Sequence, residues 1–174
     1  MPETAPNRQS FPSSAREPSQ STLSRLKRRL RSDRYVVFDR SMEPTFLPGD
    51  RLLVDPVAFR ERLPRVGEIV VLQSTLEQSR PLLKRVGGVA HDHLLVLRDG
   101  VLRTQPKDTT PGPFAPSSPP GALEELSVPA GHLFVLSDAL SGGRDSRHFG
   151  PVPVAELLGQ PWYRYAPRSR RGPV

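Results

Sequence analysis

The sequence predicts a mainly β protein with a long proline-rich loop and disordered ends, and three observations carry this prediction. Short strand-like apolar runs recur from Tyr35 onwards, separated by turn residues, as expected for half-buried strands. Six prolines crowd the stretch between residues 105 and 129, a density that no central strand tolerates, so this stretch is predicted to be a surface loop. The first 21 residues are polar and proline-rich, a composition typical of disorder.

Seven segments have the pattern of strands. The predicted strands cover residues 35–39, 51–55, 68–73, 82–90, 93–98, 101–104 and 132–136. The dipeptide Asp99-Gly100 favours a type I′ turn between the fifth and the sixth of these strands. Residues 154–158 are predicted to form a short helical turn that ends at Gly159.

The chain divides into three predicted regions. Residues 1–34 form a disordered, basic N-terminal segment, residues 35–160 the folded domain, and residues 161–174 a basic, frayed tail. Within the first region, residues 22–34 place three leucines at helical spacing among six basic side chains. This pattern predicts a short amphipathic helix. The helix either stays solvated or makes peripheral contact with an anionic membrane surface.

The composition indicates which classes of partner and which cellular location to expect. With 25 basic and 18 acidic residues the net charge is +7, which favours anionic partners such as lipid headgroups or nucleic acid. Aromatic residues make up only 6% of the chain, which argues against a base-stacking surface, so nucleic acid is not expected. Cysteine is absent, which excludes disulfides and thiolate nucleophiles. No apolar run is long enough to span a bilayer and no secretion signal is recognisable, so we expect a cytoplasmic protein or one peripheral at the membrane.

Ser41 is the first candidate for chemistry. It follows a strand-like run and precedes Pro44 and Pro48, which fix the backbone after it. The position suits a nucleophile, although a serine that merely caps a turn would look the same. A serine hydroxyl is a poor nucleophile until a base takes its proton.

Lys84 is the candidate base. The four histidines do not form a recognisable nucleophilic-serine pattern, and His91 and His93 lack a third metal ligand, so neither a metal nor another cofactor is expected. Lys84 is one of three lysines in an arginine-rich chain and lies in an apolar strand-like run. Burial would lower the pKa of its amine by roughly 3 units, which corresponds to about 4 kcal/mol. The alternative is a lysine that reaches solvent from an edge strand.

A third cluster is the glycine-rich polar stretch of residues 137–150. Asp145 and Arg147 alternate in charge and are placed to form a bidentate pair that braces a loop. By itself this stretch reads as a polar turn.

The three stretches together resemble the type I signal peptidase family, whose members use a Ser–Lys dyad. The matching segments appear in the family's order and cover residues 41–50, 84–92, 128–136 and 145–153, within a resemblance that runs from about Phe38 to Gly159. Any one of these segments would be a weak match, whereas the ordered set is specific.

The resemblance implies a signal-peptidase-like catalytic fold of antiparallel β-strands over residues 35–160. It also implies a serine endopeptidase that cleaves a leader or signal peptide from a precursor after small residues. Ser41 would be the nucleophile and Lys84 the general base, while Ser41, Asp39 and Met42 would face the oxyanion and the substrate. The residues expected to support this site are Asp138, Asp145, Ser146 and Arg147.

The chain departs from the family pattern at several places. Asp39 stands where a serine or glycine is usual, and its carboxylate would repel an oxyanion. Gly143 stands where a serine often bonds the catalytic lysine, and Ser141 and Ser146 are the candidates to replace it. Residues 137–140 read Ser-Asp-Ala-Leu in place of Gly-Asp-Asn-Arg. The family's N-terminal membrane span has no counterpart, which indicates a small anchorless relative.

Two other functions stay open. A non-catalytic peptide-binding protein on a decayed peptidase scaffold is favoured by Asp39 and Gly143 and opposed by the intact Ser41 and Lys84. A repressor-type Ser–Lys autoprotease would need an N-terminal DNA-binding domain, which 34 polar residues do not provide, and a cleavable Ala-Gly bond before Ser41, which is absent.

Overall fold

The computed structural model describes residues 22–73, 80–97, 102–104, 123–139 and 143–174. The N-terminal half of these residues contains α1 (Thr22–Arg31), β1 (Asp33–Val36), β2 (Arg51–Asp55), β3 (Ile69–Leu72), β4 (Leu82–Val89), β5 (His93–Leu97) and β6 (Leu102–Thr104). The C-terminal half contains β7 (Leu123–Ser127), β8 (His132–Leu136), α2 (Ser146–Phe149), β9 (Val152–Pro153), β10 (Leu157–Ala166) and β11 (Gly172–Pro173), with single 3₁₀ turns at Val154–Glu156 and Arg168–Arg170.

The strands form two antiparallel sheets. The larger sheet has the order β1-β2-β10-β3-β4-β8-β9, with β11 paired to β10, and the smaller sheet has the order β6-β5-β7. In the larger sheet β4 lies between β3 and β8, with Lys84 opposite Val70 and Arg85 opposite Leu136. The predicted mainly β fold of antiparallel strands is therefore confirmed, and Lys84 lies on an internal strand.

Three apolar clusters form the core, and the first of them fixes the segment between β1 and β2. This cluster consists of Val37, Met42, Phe46, Leu52, Val54, Val71 and Leu83. Met42 and Phe46 come from the segment itself and are almost completely buried. Burying two side chains of this size stabilises the segment by roughly 2–3 kcal/mol each, so the loop that carries Ser41 is an ordered part of the fold.

Several predicted strands are found with the expected boundaries. β2 and β8 match the prediction residue for residue, β3 is one residue shorter at each end, and β4 ends one residue earlier. β5 agrees with the prediction up to Leu97, and residue 98 lies outside the described residues. β1 begins two residues earlier and ends at Val36, after which the chain turns into the Ser41 segment. The predicted Asp99-Gly100 turn lies outside the described residues, as does residue 101.

Two expectations were wrong. The predicted loop ends earlier than expected, because β7 pairs with β5 inside the stretch assigned to it. The predicted helical turn is present as the 3₁₀ turn at Val154–Glu156, but it is shorter than expected. The ten-residue strand β10 follows it, takes up the first part of the predicted tail and pairs with both β2 and β3. Gly159 therefore does not end a helix. It allows β10 to approach β2 so closely that a Cβ would lie 2.5 Å from the Asp55 carbonyl oxygen.

The predicted basic helix is present as α1 and contacts β2 through arginines. Arg31 donates to both carboxylate oxygens of the buried Asp55, at 3.1 and 2.9 Å, and Arg28 lies 2.9 Å from the same carboxylate. Arg28 also stacks over the ring of Trp162. Leu30, by contrast, is 79% exposed.

Candidate active site

Ser41 lies in a compact turn that main-chain hydrogen bonds close at its base. Val37 donates to the Asp50 carbonyl at 2.9 Å, and Gly49 donates to the Val37 carbonyl at 2.8 Å. Within the turn, Phe46 donates to the Met42 carbonyl at 2.8 Å. Ser41 itself is 5% exposed, and these main-chain bonds hold the turn that carries it.

Arginines from the C-terminal part of the chain hold the far side of this turn. Arg164 on β10 and Arg170 form ion pairs with the buried Asp50 carboxylate at 3.0 and 3.1 Å. Both arginines also donate to the Thr45 carbonyl at 3.2 Å. The region predicted to be a frayed tail thus supports the loop that carries Ser41.

The backbone N–H of Ser41 is engaged by Asp39. It donates to Oδ1 of Asp39 at 2.8 Å. The resemblance to the signal peptidase family predicts that this N–H stabilises an oxyanion. In the structure, however, it is bonded to a carboxylate oxygen. The carboxylate of Asp39 therefore points towards the place where the oxyanion would form.

Lys84 is buried on β4, with 2% of its surface exposed, and its Nζ donates to Oγ of Ser137 at 3.0 Å. Burial lowers the pKa of this amine, because the charged form loses hydration. The charges around it act in both directions on the pKa, upwards from Asp39, Asp145 and Asp138 and downwards from Arg147. Among the described residues no carboxylate lies within ion-pair distance of Nζ, so the amine bonds a neutral hydroxyl.

The side chains of Ser41 and Ser137 both lie next to Gly143. A Cβ placed on Gly143 would lie 2.3 Å from Oγ of Ser137 and 3.0 Å from Cβ of Ser41. Because the Ser137 hydroxyl also contacts Lys84, the candidate nucleophile and the candidate base both lie beside Ser137. The loop after β8 is tied to the same point, since Ala139 donates to the Ser41 carbonyl at 3.0 Å.

The predicted brace is present and reaches Ser137. Asp145 and Arg147 form a bidentate pair with contacts of 2.9 and 2.6 Å, and Asp145 is completely buried. The Asp145 carboxylate also accepts from the Ser137 N–H at 2.9 Å. Burial alone would raise the pKa of Asp145, but the hydrogen bonds from Arg147 and Ser137 outweigh it, and the pKa lies below its usual range. Ser146 accepts from the Val135 N–H at 2.9 Å and so joins α2 to β8.

A second network joins the Ser41 turn to β4. Arg85 donates to both carboxylate oxygens of Asp138, at 2.7 and 2.6 Å, and Thr45 donates to the same carboxylate at 2.5 Å. Burial would raise the pKa of Asp138, but the bonds from Arg85 and Thr45 lower it overall. Asp138 was predicted as a supporting residue, whereas Arg85 and Thr45 were not.

Comparison with known proteins identifies the family. The model of the family described as "Signal peptidase, peptidase S26" matches residues 26–166. The chain belongs to this family. The mitochondrial ATP-independent inner membrane protease subunit 1b of Arabidopsis thaliana is 33% identical over 135 residues, which cover 77% of this chain and 70% of that protein. The probable signal peptidase I-1 of Synechocystis is 30% identical over 151 residues, covering 80% and 73%.

Among solved structures, a signal peptidase I from Enterococcus faecalis is similar, with 23% sequence identity and a TM-score of 0.40, covering 57% of this chain and 97% of that one. None of the helices among the described residues of this S26 family member has the length and apolarity needed to cross a bilayer.

Some predicted residues of this peptidase occupy places that the sequence did not indicate. The Met42 side chain is 1% exposed and packs in the core, so it is not available to substrate. The Ser146 hydroxyl bonds Val135, and Ser141 lies outside the described residues. The hydroxyl that Lys84 contacts belongs to Ser137, a residue to which the sequence analysis gave no role. The available signal was the serine at position 137, where the resemblance predicts a glycine.

His91 and His93 lie outside this arrangement, whereas His148 contacts Asp145. His91 is in the turn after β4 and His93 begins β5. The part of the chain that the structure describes holds no cluster of three His, Asp or Glu side chains suited to a metal ion. His148 accepts from the Asp145 N–H at 3.3 Å and completes the N-terminal cap of α2.

Proposed function

We propose that this protein is a serine endopeptidase of the signal peptidase type that removes a leader or signal peptide from a precursor after small residues. Ser41 is the nucleophile and Lys84 the general base. The observation that carries the proposal is the state of the Lys84 amine, which is buried, has a lowered pKa and bonds a neutral hydroxyl beside Ser41. A lowered pKa increases the fraction of the amine that is neutral, and the neutral amine is the form that can accept a proton.

The proposed reaction has two halves, acylation and deacylation of Ser41. Neutral Lys84 takes the Ser41 Oγ proton while Oγ bonds the scissile carbonyl carbon, which leaves an oxyanion and an ammonium. The ammonium then gives its proton to the leaving amine as the C–N bond breaks, and the acyl group remains on Ser41. In the second half, Lys84 takes a proton from the attacking water and returns it to Ser41 Oγ when the ester bond breaks.

The oxyanion needs a donor in this scheme, and the Ser41 N–H is the candidate. Such a donor is worth on the order of 3 kcal/mol. Because the N–H is bonded to Asp39, the Asp39 carboxylate has to turn away before the N–H can serve the substrate.

The proposal is tested by peptide cleavage. A peptide with an Ala-x-Ala site is incubated with the wild type, Ser41→Ala and Lys84→Met. We expect cleavage after the second alanine by the wild type and a loss of kcat/KM on the order of 10⁴-fold or more in both variants. Lys27→Ala removes an exposed lysine of α1 and is the matched control. Equal cleavage by all of these proteins would refute the Ser41–Lys84 assignment.

A second candidate function is favoured by one observation. The Asp39–Ser41 bond occupies the expected oxyanion donor, as a scaffold that binds peptides without cleaving them could tolerate. This alternative predicts that the wild type binds the Ala-x-Ala peptide without cleaving it and that Ser41→Ala binds it equally well.

The location is also part of the proposal. Lys27, Arg29 and Leu30 are exposed on α1, which suits peripheral contact with an anionic membrane surface. Fractionation of cells tests this: a salt-sensitive association supports peripheral contact, and recovery in the cytoplasmic fraction at low salt refutes it.

A further inference from the structure

We propose that Ser137 is the positioning residue for Lys84, and that its hydroxyl occupies the space a serine hydroxyl at position 143 would fill. Positions 137 and 143 are then a reciprocal pair, in which one residue carries the hydroxyl and the other must be glycine. The inference rests on the proposed function for its catalytic consequence, but the pairing itself is a property of the fold.

The first support is the contact with the amine. Lys84 Nζ donates to Ser137 Oγ at 3.0 Å, and both residues are buried. Among the described residues the Ser137 hydroxyl is the hydrogen-bond partner of this buried amine. Turning the amine away from it would cost the free energy of an unsatisfied buried donor. The hydroxyl therefore determines where Nζ lies relative to Ser41.

The second support is the space around Gly143. The backbone of Gly143 is not in the left-handed region that would require glycine. What requires glycine is the Ser137 side chain, since a Cβ at position 143 would lie 2.3 Å from its Oγ and 2.7 Å from its Cβ. Positions 137 and 143 therefore cannot both carry a side chain in this backbone. A hydroxyl carried by a Cβ at position 143 would lie close to the present Ser137 hydroxyl.

The third support is that the backbone of Ser137 is itself fixed. Its N–H donates to Oδ2 of the completely buried Asp145 at 2.9 Å, and Asp145 is held by Arg147. The Asp145–Arg147 brace thus acts on Lys84 through Ser137. The other charged groups that bear on the amine are the carboxylates of Asp39 and Asp138.

The experiment compares Ser137→Ala, Ser137→Gly and the double variant S137G/G143S with the wild type. Two quantities are measured: kcat/KM for the Ala-x-Ala peptide as a function of pH, and the pKa of the Lys84 amine by NMR on lysine-labelled protein. The chain contains only three lysines, so the Lys84 signal can be assigned by its loss in Lys84→Met. Ser32→Ala is the matched control, because it removes a half-buried hydroxyl bonded to Trp162 and the Arg28 carbonyl.

We expect Ser137→Ala to lower kcat/KM about 100-fold, as for a misplaced catalytic group. The pKa of Lys84 should fall further, because the ammonium loses an acceptor. The rise of kcat/KM with pH should then shift to lower pH. Ser137→Gly should behave in the same way, and S137G/G143S should recover both the pKa and most of the activity. Ser32→Ala should change neither.

Two results would overturn the inference. If the pKa of Lys84 and kcat/KM in Ser137→Ala equal those of the wild type, the hydroxyl does not position the amine. An S137G/G143S variant no better than Ser137→Gly would show that the two positions do not share the hydroxyl. If the wild type cleaves nothing, the proposed function fails, and the pKa of Lys84 in the same variants still decides the inference.

Discussion

The backbone N–H of Ser41 donates to the carboxylate of Asp39, two residues earlier, at 2.8 Å. A carboxylate oxygen has the charge and hydrogen-bonding capacity of an oxyanion, so Asp39 takes up the N–H donor that the proposed reaction needs. The charge of the same carboxylate also works against the burial that lowers the pKa of Lys84. Asp39 therefore opposes the proposed chemistry at both the donor and the base.

Replacing Asp39 should increase activity. In Asp39→Ala and Asp39→Ser the Ser41 N–H becomes free, and the pKa of Lys84 falls because a nearby negative charge is lost. We expect kcat/KM near neutral pH to rise on the order of 10-fold, a part of what one oxyanion donor contributes. Asp33→Ser, which removes an exposed carboxylate from β1, should leave it unchanged. Lower activity in both Asp39 variants would mean that the carboxylate assists the reaction.

The pH dependence of activity should follow Lys84. Only the neutral amine can take a proton, and its pKa lies below the ordinary lysine value. The plot of kcat/KM against pH should therefore rise through a pKa below about 10.4. Lys84→Arg should be inactive at every pH, since a guanidinium stays protonated. A profile that is flat across this range would exclude Lys84 as the base.

Stability should depend on the same group. The pKa of Lys84 is lower in the folded chain than in the unfolded chain, so between the two values the unfolded chain binds the extra proton. The free energy of unfolding should rise with pH across this window, because burying the ammonium costs less as it deprotonates. In Lys84→Met this part of the rise should disappear, which urea unfolding at several pH values measures. An identical slope in wild type and variant would contradict the burial of the amine.

The sequence predicted those strands whose residue pattern is continuous over a short local stretch. β2 and β8 are compact apolar runs bordered by turn residues, and their limits were found correctly. β10 was missed because Gly159 and Pro161 interrupt its pattern locally, while its pairing with β2 and β3 tolerates both through shifts in register.

The same distinction applies to the candidate site. Ser41 and Lys84 stand out in their own segments, and Asp145 and Arg147 are two residues apart. The bond between Lys84 and Ser137 joins residues 53 positions apart and depends on how β4 and β8 align. Of the two arginines that hold the Ser41 turn, Arg164 lies on β10 and Arg170 in the 3₁₀ turn after it. The sequence revealed neither element, so this support could not be predicted.

The Asp145–Arg147 pair should contribute strongly to stability. In Arg147→Met the completely buried Asp145 loses its charged partner, and breaking a buried pair in this way costs about 3–5 kcal/mol. Arg62→Met is the matched control, because the Arg62–Glu68 pair is partly exposed and such pairs contribute about 0–1 kcal/mol. Urea unfolding of both variants measures the difference.

The same pair has a pH signature. The pKa of Asp145 is lowered in the folded state, so its contribution is present above the unfolded pKa of about 3.9 and is lost as the pH falls through the folded value. Equal losses of stability in Arg147→Met and Arg62→Met would contradict the role of the brace.

Gly159 should be needed for the approach of β10 to β2. Its φ is +154°, and an added Cβ would lie 2.5 Å from the Asp55 carbonyl oxygen and 2.9 Å from a Val54 methyl carbon. Gly159→Ala should therefore destabilise the protein by about 3 kcal/mol, from backbone strain and overpacking together. Gly172→Ala meets no atom within 4 Å and should change stability by less than about 0.5 kcal/mol. Because Arg164 lies on β10 and holds Asp50 under the Ser41 turn, peptide cleavage by Gly159→Ala should be lost at a lower temperature than in the wild type. Cleavage that survives to the wild-type temperature would mean that the turn does not depend on β10.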